Sequence, residues 1–264
     1  MSEPSVLLDV DKRGVATVTL NRPAVNNAYN GEIVQNLLDG CEKLAGDAAV
    51  KVVVIRGNGR HFQAGADLNW LKEVSRMDAA ANLEMSRRTA LAMRRLNEMP
   101  IPTIALVHGA CVGGGTGIVA GCDIVIASRD ANFAITEARW GVIASIIFPQ
   151  LNAAIGVRNV RRYALSCERF SAEQAQAMGL VHEVCETGAL DDALGPVLES
   201  LLHAAPTSVR ESKLSAMRCA GSIMSDAEFE RLVAQHASKR QSDEATEGLT
   251  SFLEKRDPGW YPAA

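Results

Sequence analysis

The sequence predicts an α/β fold that continues into a helical C-terminal extension. Strand-like and helix-like apolar patterns alternate through the first half of the chain and beyond it. From Val157 onward nearly every apolar spacing is helical, with breaks expected at Gly156, Gly179, Pro196 and Pro206. No internal repeat of fixed period and no linker-like stretch divides the chain, so one folding unit with a C-terminal appendage is expected.

Residues 5–10 and 14–20 alternate apolar and polar side chains around the turn Asp11-Lys12-Arg13-Gly14, which predicts a hairpin. Asn21-Arg22-Pro23 ends its second strand, because proline cannot donate to a ladder. Ile33, Val34, Leu37, Leu38, Cys41 and Leu44 recur at helical spacing over residues 31–44. Residues 52–56 form a short buried-strand pattern that stops at Gly57 and Gly59. A loop over 61–67 follows, then a helix over 78–98 that Met99-Pro100-Ile101-Pro102 closes. Residues 103–107 are the next strand, and after a short connection Gly113-Gly114-Gly115 opens a compact apolar helix. Residues 122–127 and 132–135 read as two further strands.

Composition excludes several classes of function. The 264 residues are 47% hydrophobic and 22% charged, a globular balance. Asp and Glu outnumber Lys and Arg by 31 to 27, a formal charge of −4 that argues against nucleic acid as the main partner and leaves room for a small anionic ligand. Met1-Ser2-Glu3-Pro4 shows no secretory signal, and no apolar run is long enough to span a bilayer. Six scattered cysteines and five histidines lack metal-ligand spacing. A reduced, cytoplasmic protein without metal or membrane partner is expected. P-loop, G-x-S-x-G and HExxH motifs are absent, and Gly115-Thr116-Gly117-Ile118-Val119-Ala120 matches only the weak form of the dinucleotide fingerprint, beyond the end of its strand.

Two segments look chemically purposeful: His61-Phe62-Gln63-Ala64-Gly65-Ala66-Asp67-Leu68 and Val107-His108-Gly109-Ala110-Cys111-Val112-Gly113-Gly114-Gly115. Either their small residues permit tight helix–strand packing, or they bring free N–H groups close to a ligand. Two such donors aimed at one point make an oxyanion hole.

A-G-A-D after a strand, H-G-x-x-x-G-G-G before a helix and the following C-D-I resemble the crotonase (enoyl-CoA hydratase/isomerase) superfamily. The resemblance extends to Leu20-Asn21-Arg22-Pro23 with Asn26-Asn27-Ala28, to Arg162-Tyr163-Ala164-Leu165, to Ala177-Met178-Gly179-Leu180-Val181, and to residues 247–256. It implies a spiral of ββα turns over residues 1–200 and a helical trimerisation region over 201–264, giving a homotrimer or a dimer of trimers. It implies an acyl-CoA thioester as substrate, with no separate cofactor, its carbonyl oxygen held between the N–H groups of Ala66 and Gly114. Ala64, Asp67, Leu68 and Asn69 would then run beside the CoA, Ala24 and Val25 would flank its adenine and pantetheine, and Lys255 is a candidate phosphate partner.

Hydratases of this family typically carry two catalytic glutamates. The first of those positions is Gly117 here, and the second is Glu137. One carboxyl suffices to move a proton at the α-carbon while the oxyanion hole holds the enolate. Its solitude leaves open a hydratase whose water is positioned by another group, an isomerase in which Glu137 shuttles a proton between C2 and C4, and a non-catalytic acyl-CoA binder. Thr136 to Gly141, Arg162 to Leu165 with Glu168-Arg169-Phe170, and Gly117 itself resemble a bacterial branch acting on 3-methylglutaconyl-CoA in leucine breakdown and isohexenylglutaconyl-CoA in acyclic terpene breakdown, which favours the hydratase.

Where much of the family has proline-glycine, this chain has Ala144-Ser145, and Ser145 is a candidate to hold the water. A glutaconyl substrate needs a cation for its second carboxylate. Arg139 is the candidate, since alternation along an extended segment would turn it to the side of Glu137. Met77, Leu83, Met85, Leu91, Met93 and Leu96 either line a tunnel for the acyl tail or are core, and Trp70 and Trp140 pack on ligand or in the core. Arg87, Arg88, Arg94 and Arg95 read as a solvated face.

Overall fold

The computed structural model describes residues 4–261. β1 (Val6–Val10) and β2 (Val15–Leu20) form the expected hairpin, its turn held by Asp11, whose Oδ1 accepts from Arg13 N at 2.8 Å and Val15 N at 3.0 Å. α1 (Gly31–Gly46) starts at an Asn30 cap whose side chain accepts from Ile33 N, and buries the apolar stripe read from the sequence. Then come β3 (Val52–Gly57), α2 (Leu68–Ser75), α3 (Ala79–Asn97), β4 (Thr103–Val107), β5 (Ala110–Val112), α4 (Gly114–Ala120), β6 (Ile124–Ser128) and β7 (Asn132–Ala134). A 3-10 turn over Glu137–Trp140 precedes α5 (Phe148–Ser166), β8 (Phe170–Ser171), α6 (Ala172–Met178) and β9 (Glu183–Cys185). Helices α7 (Leu190–His203), α8 (Pro206–Cys219), α9 (Asp226–Arg240) and α10 (Asp243–Leu253) follow.

The larger sheet runs β1-β2-β3-β4-β6-β9, with β1 antiparallel to β2 and every other pair parallel. Because successive side chains face opposite ways, Val53, Ile55, Ala105 and Val125 join the main core while Val52, Val54, Ile104 and Ile126 face Leu190, Leu194 and Leu198 of α7. The smaller sheet is β5-β7-β8. Each turn of the chain lays one strand in the large sheet, a short one in the small sheet, and then a helix: β4-β5-α4 repeats as β6-β7-α5. The turn starting at β3 does the same with a bridge between Gln63 and Cys111 in place of a full short strand. This is the spiral of ββα turns. α9 buries Phe229, Leu232 and Val233 in the same core as the sheet.

Some elements depart from the sequence patterns. The sequence patterns assign no element to residues 68–77, where α2 forms; Asp67 caps it by accepting from Asn69 N and Trp70 N, and only Leu71 and Val74 are buried. β5, β8 and β9 are two or three residues long, too short to show a period. Pro196 does not break its helix but lies inside α7, where burial of Leu194 and Leu198 on either side of it holds the helix together despite the missing donor.

Candidate active site

Three successive turns of the spiral bring the site together. Gln63 bridges Cys111, and Cys111 pairs with Phe133, so these three residues stand side by side in the small sheet. Ala66, Gly114 and Glu137 follow them at the same end of three neighbouring short strands, and all three line one cavity of about 860 Å³. Tyr29 N donates to Gly65 O at 2.9 Å and Asp67 N to Tyr29 O at 2.8 Å, straddling Ala66 in a parallel bridge. In that geometry the Ala66 N–H faces away from Tyr29, and no described residue accepts from it. Gly114 N, the first of α4, likewise has no acceptor among the described residues, whereas its neighbour Gly113 N is tied to Ala134 O at 2.8 Å.

Glu137 opens its 3-10 turn with the carboxyl against the triplet: a Cβ on Gly113 would lie 2.9 Å from Oε1. Its Oε2 is buried without a hydrogen-bond partner. Burial pushes the carboxyl up from 4.5 to about 7, against a smaller pull downward from nearby backbone donors. The turn is held from behind by α10. Gly248 packs so closely on Trp140 that a Cβ would overlap the Trp140 backbone, and Gly141, at a φ of 69°, meets Glu244 O in the same way. Trp140 and Phe252 meet edge to face at 4.5 Å, and both line the cavity.

A family model described as enoyl-CoA hydratase/isomerase matches residues 11–262. The chain belongs to the enoyl-CoA hydratase/isomerase family. It is 34% identical to the 2,3-dehydroadipyl-CoA hydratase of Escherichia coli, covering 96% of this chain and 98% of that protein. It is 31% identical to a putative enoyl-CoA hydratase of Thermus thermophilus, covering 96% and 99%. Among solved structures, an enoyl-CoA hydratase from Mycobacterium avium superposes with a TM-score of 0.85 at 34% identity, covering 98% of this chain and all of that one. The fold of this hydratase/isomerase chain is therefore the crotonase fold.

Around the site of this family member, Ala64, Asp67, Leu68, Asn69 and Val25 line the cavity, with Val25 42% exposed at its mouth. Ala24 is exposed and lies off the wall, as does Lys255. The expectation for Ser145 is corrected: it is fully buried, it is not on the wall, and its Oγ donates to Leu232 O at 3.3 Å. Arg139 does line the cavity but is exposed, and it belongs to a 3-10 turn, so alternation does not put it on the side of Glu137. Of the tail candidates only Met93 reaches the wall; Leu96 is core and Met77 is 40% exposed. Trp140 is on the wall, while Trp70 packs on Tyr29 with ring centroids 5.7 Å apart. Arg87 and Arg94 are not simply solvated, since they pair with Glu230 and Asp226 of α9.

Gly117 is also off the wall: Ile147 occupies the space beside it, and a Cβ there would overlap Ile147 Cγ2. Gly117→Ala is therefore expected to cost about 1–3 kcal/mol by overpacking, and the added variant Ile147→Ala to recover much of it; thermal unfolding of the single and double variants checks this.

Other residues around the site escaped the sequence reading. Gln63, fully buried, clamps Gly65 by accepting from its N–H and donating to its carbonyl, both at 2.9 Å. Asn27, also fully buried, donates to Asn58 O and His61 O at 2.8 Å and accepts from Arg22 N at 2.8 Å, fastening the N-terminal loop to the stretch that leads into A-G-A-D. The Tyr29 ring lies against Gly114, where a Cβ would come within 2.6 Å of Cε1. His236 and Arg240 of α9 are buried and line the cavity. Their spacing from Phe229 and Val233 continued the buried helical stripe, which was the available signal.

Proposed function

We propose that this chain is a hydratase that adds water across the C2=C3 bond of a 3-substituted glutaconyl-CoA, of the 3-methylglutaconyl or isohexenylglutaconyl type. The observation that carries the reading is the Glu137 carboxyl, buried beside the glycine triplet with one oxygen unpartnered. The thioester carbonyl oxygen takes the N–H groups of Ala66 and Gly114. Ionised Glu137 accepts a proton from water as the water oxygen bonds to C3, and the C2=C3 electron pair moves through C1 onto the thioester oxygen. The enolate then collapses and C2 takes the proton back from Glu137, so one carboxyl serves as base and then acid. Nothing beyond CoA, itself part of the substrate, is needed as cofactor. The named substrate of the E. coli relative carries a second carboxyl, which supports a dicarboxylyl thioester here.

Ile147 beside Gly117 favours a second reading, since the space of a second acid is filled by an alkyl chain. In an isomerase, Glu137 would move one proton between C2 and C4 and no water would be held. Turnover of 3-methylglutaconyl-CoA, an isohexenyl-bearing analogue and a simple 3-enoyl-CoA separates the readings. Water uptake with loss of conjugated-enoyl absorbance is expected; double-bond migration alone makes it an isomerase, and binding without turnover makes it an acyl-CoA-binding protein.

We also propose a homotrimer or a dimer of trimers. α8 buries none of its residues within the chain and Leu165 of α5 is 76% exposed, surfaces that copies of the chain would cover. Sedimentation equilibrium at three or six chain masses is the expected result.

A further inference from the structure

We infer that Arg240 is the recognition site for a carboxylate carried on the acyl chain, which makes the preferred thioester a dicarboxylyl-CoA. The inference deepens the proposed function and rests on it for the acyl-CoA as ligand. Arg240 ends α9 and is only 1% exposed, yet it forms part of the cavity wall. Its terminal nitrogens reach Asn82 Oδ1 at 3.4 Å and His236 Nδ1 at 3.3 Å, and the guanidinium lies 5.7 Å from the centre of the Trp70 ring. Its Nε has no partner.

None of those neighbours carries a negative charge. Burial and the Arg240 charge hold His236 well below the usual histidine range, so its imidazole is neutral. Burial pushes the nearby Tyr29 phenol up to about 12, which keeps it protonated. Of the acids on the cavity wall, Asp67 pairs with Arg22 at 3.3 Å and Glu168 with Arg162 at 2.6 Å, while Glu137 stands against Gly113, its Oε2 unpartnered, and makes no ion pair with Arg240. No ion pair involves Arg240 among the described residues. A guanidinium taken out of water without a counter-charge is costly to the fold, and a ligand carboxylate that accepts from Nε and a terminal nitrogen together would supply the missing partner. The other arginines on the wall, Arg139 and Arg169, are exposed. The apolar wall that includes Ile33, Leu71 and Met93 suits an alkyl chain ending in one ionised group better than the phosphates of CoA.

Saturated thioesters test this without turnover. By titration calorimetry, wild type is expected to bind glutaryl-CoA, or at the next length adipyl-CoA, at least tenfold more tightly than pentanoyl-CoA or hexanoyl-CoA. Esterifying the distal carboxyl should abolish the advantage. Arg240→Met should erase the preference while leaving pentanoyl-CoA binding within a few-fold. His236→Glu, which places an acid one helical turn from Arg240, should erase it as well and stands in if Arg240→Met does not fold. No preference for the free acid in wild type at either length overturns the inference. So does a preference that survives both variants, or one that only Arg139→Ala removes. Failure of the hydratase reading looks different: thioesters bind with the stated preference and no enoyl-CoA is hydrated.

Discussion

Replacing Glu137 by Gln is expected to lower turnover by about 10²–10⁴-fold and, at the same time, to make the protein more stable above neutral pH. Both effects follow from one carboxyl. In the folded chain it holds its proton up to about pH 7, whereas its ordinary value is 4.5. Between those values the native state binds more protons than the unfolded state, so stability falls as pH rises from 4.5 to 7 and remains lower above that range. The amide carries no such penalty. At pH 8 the gain is on the order of 3 kcal/mol, or roughly 5–10 °C in Tm, and at pH 4 it disappears. Since the working form is the carboxylate, wild-type kcat/KM should rise with pH through about 7 and then level, with its acid limb set by this group. Melting curves at pH 4 and 8 and a pH–rate profile check the three statements. A variant that is inactive but no more stable at pH 8 contradicts the assignment of a buried, unpartnered carboxyl.

Gln63→Leu should reduce turnover by roughly 10–100-fold with thioester affinity changed far less. The leucine keeps the volume but removes both bonds to Gly65, leaving that residue's buried N–H without an acceptor. An orphaned buried donor costs about 1–3 kcal/mol, and the backbone relieves it by moving. That movement displaces the next residue, Ala66, whose N–H is assigned to the developing oxyanion. The effect should therefore fall on kcat rather than KM. Equal losses in both would reduce Gln63 to a packing role.

The hairpin, α1, α3 and the parallel strands were legible because each buries one face over enough residues to display its period. Among the short strands β7 was legible, as residues 132–135, but β5 was not: each carries three residues, yet they put Ala66, Gly114 and Glu137 at one end of the small sheet. Residue types marked out only the two Gly- and Ala-rich segments, with tight packing as an open alternative; the convergence of Ala66, Gly114 and Glu137 was implied by the resemblance. Arg139 shows the limit of local reasoning. Its position two residues past Glu137 suggested a shared side, and a 3-10 turn removed the premise. Arg240 lies more than a hundred residues away in sequence, and only packing of α9 against α3 brings it to the wall.

The cavity wall takes Val25 and Tyr29 from the start of the chain and Phe252 and Leu253 from its last helix. Gly248 of that helix also braces the turn bearing Glu137. During synthesis, a chain still missing α10 on the ribosome would thus have its sheet and no finished chamber. Thioester capture is expected only after α10 has docked. Occupancy would tie α10 to the segment around Tyr29, and a bound thioester should slow amide exchange in both equally.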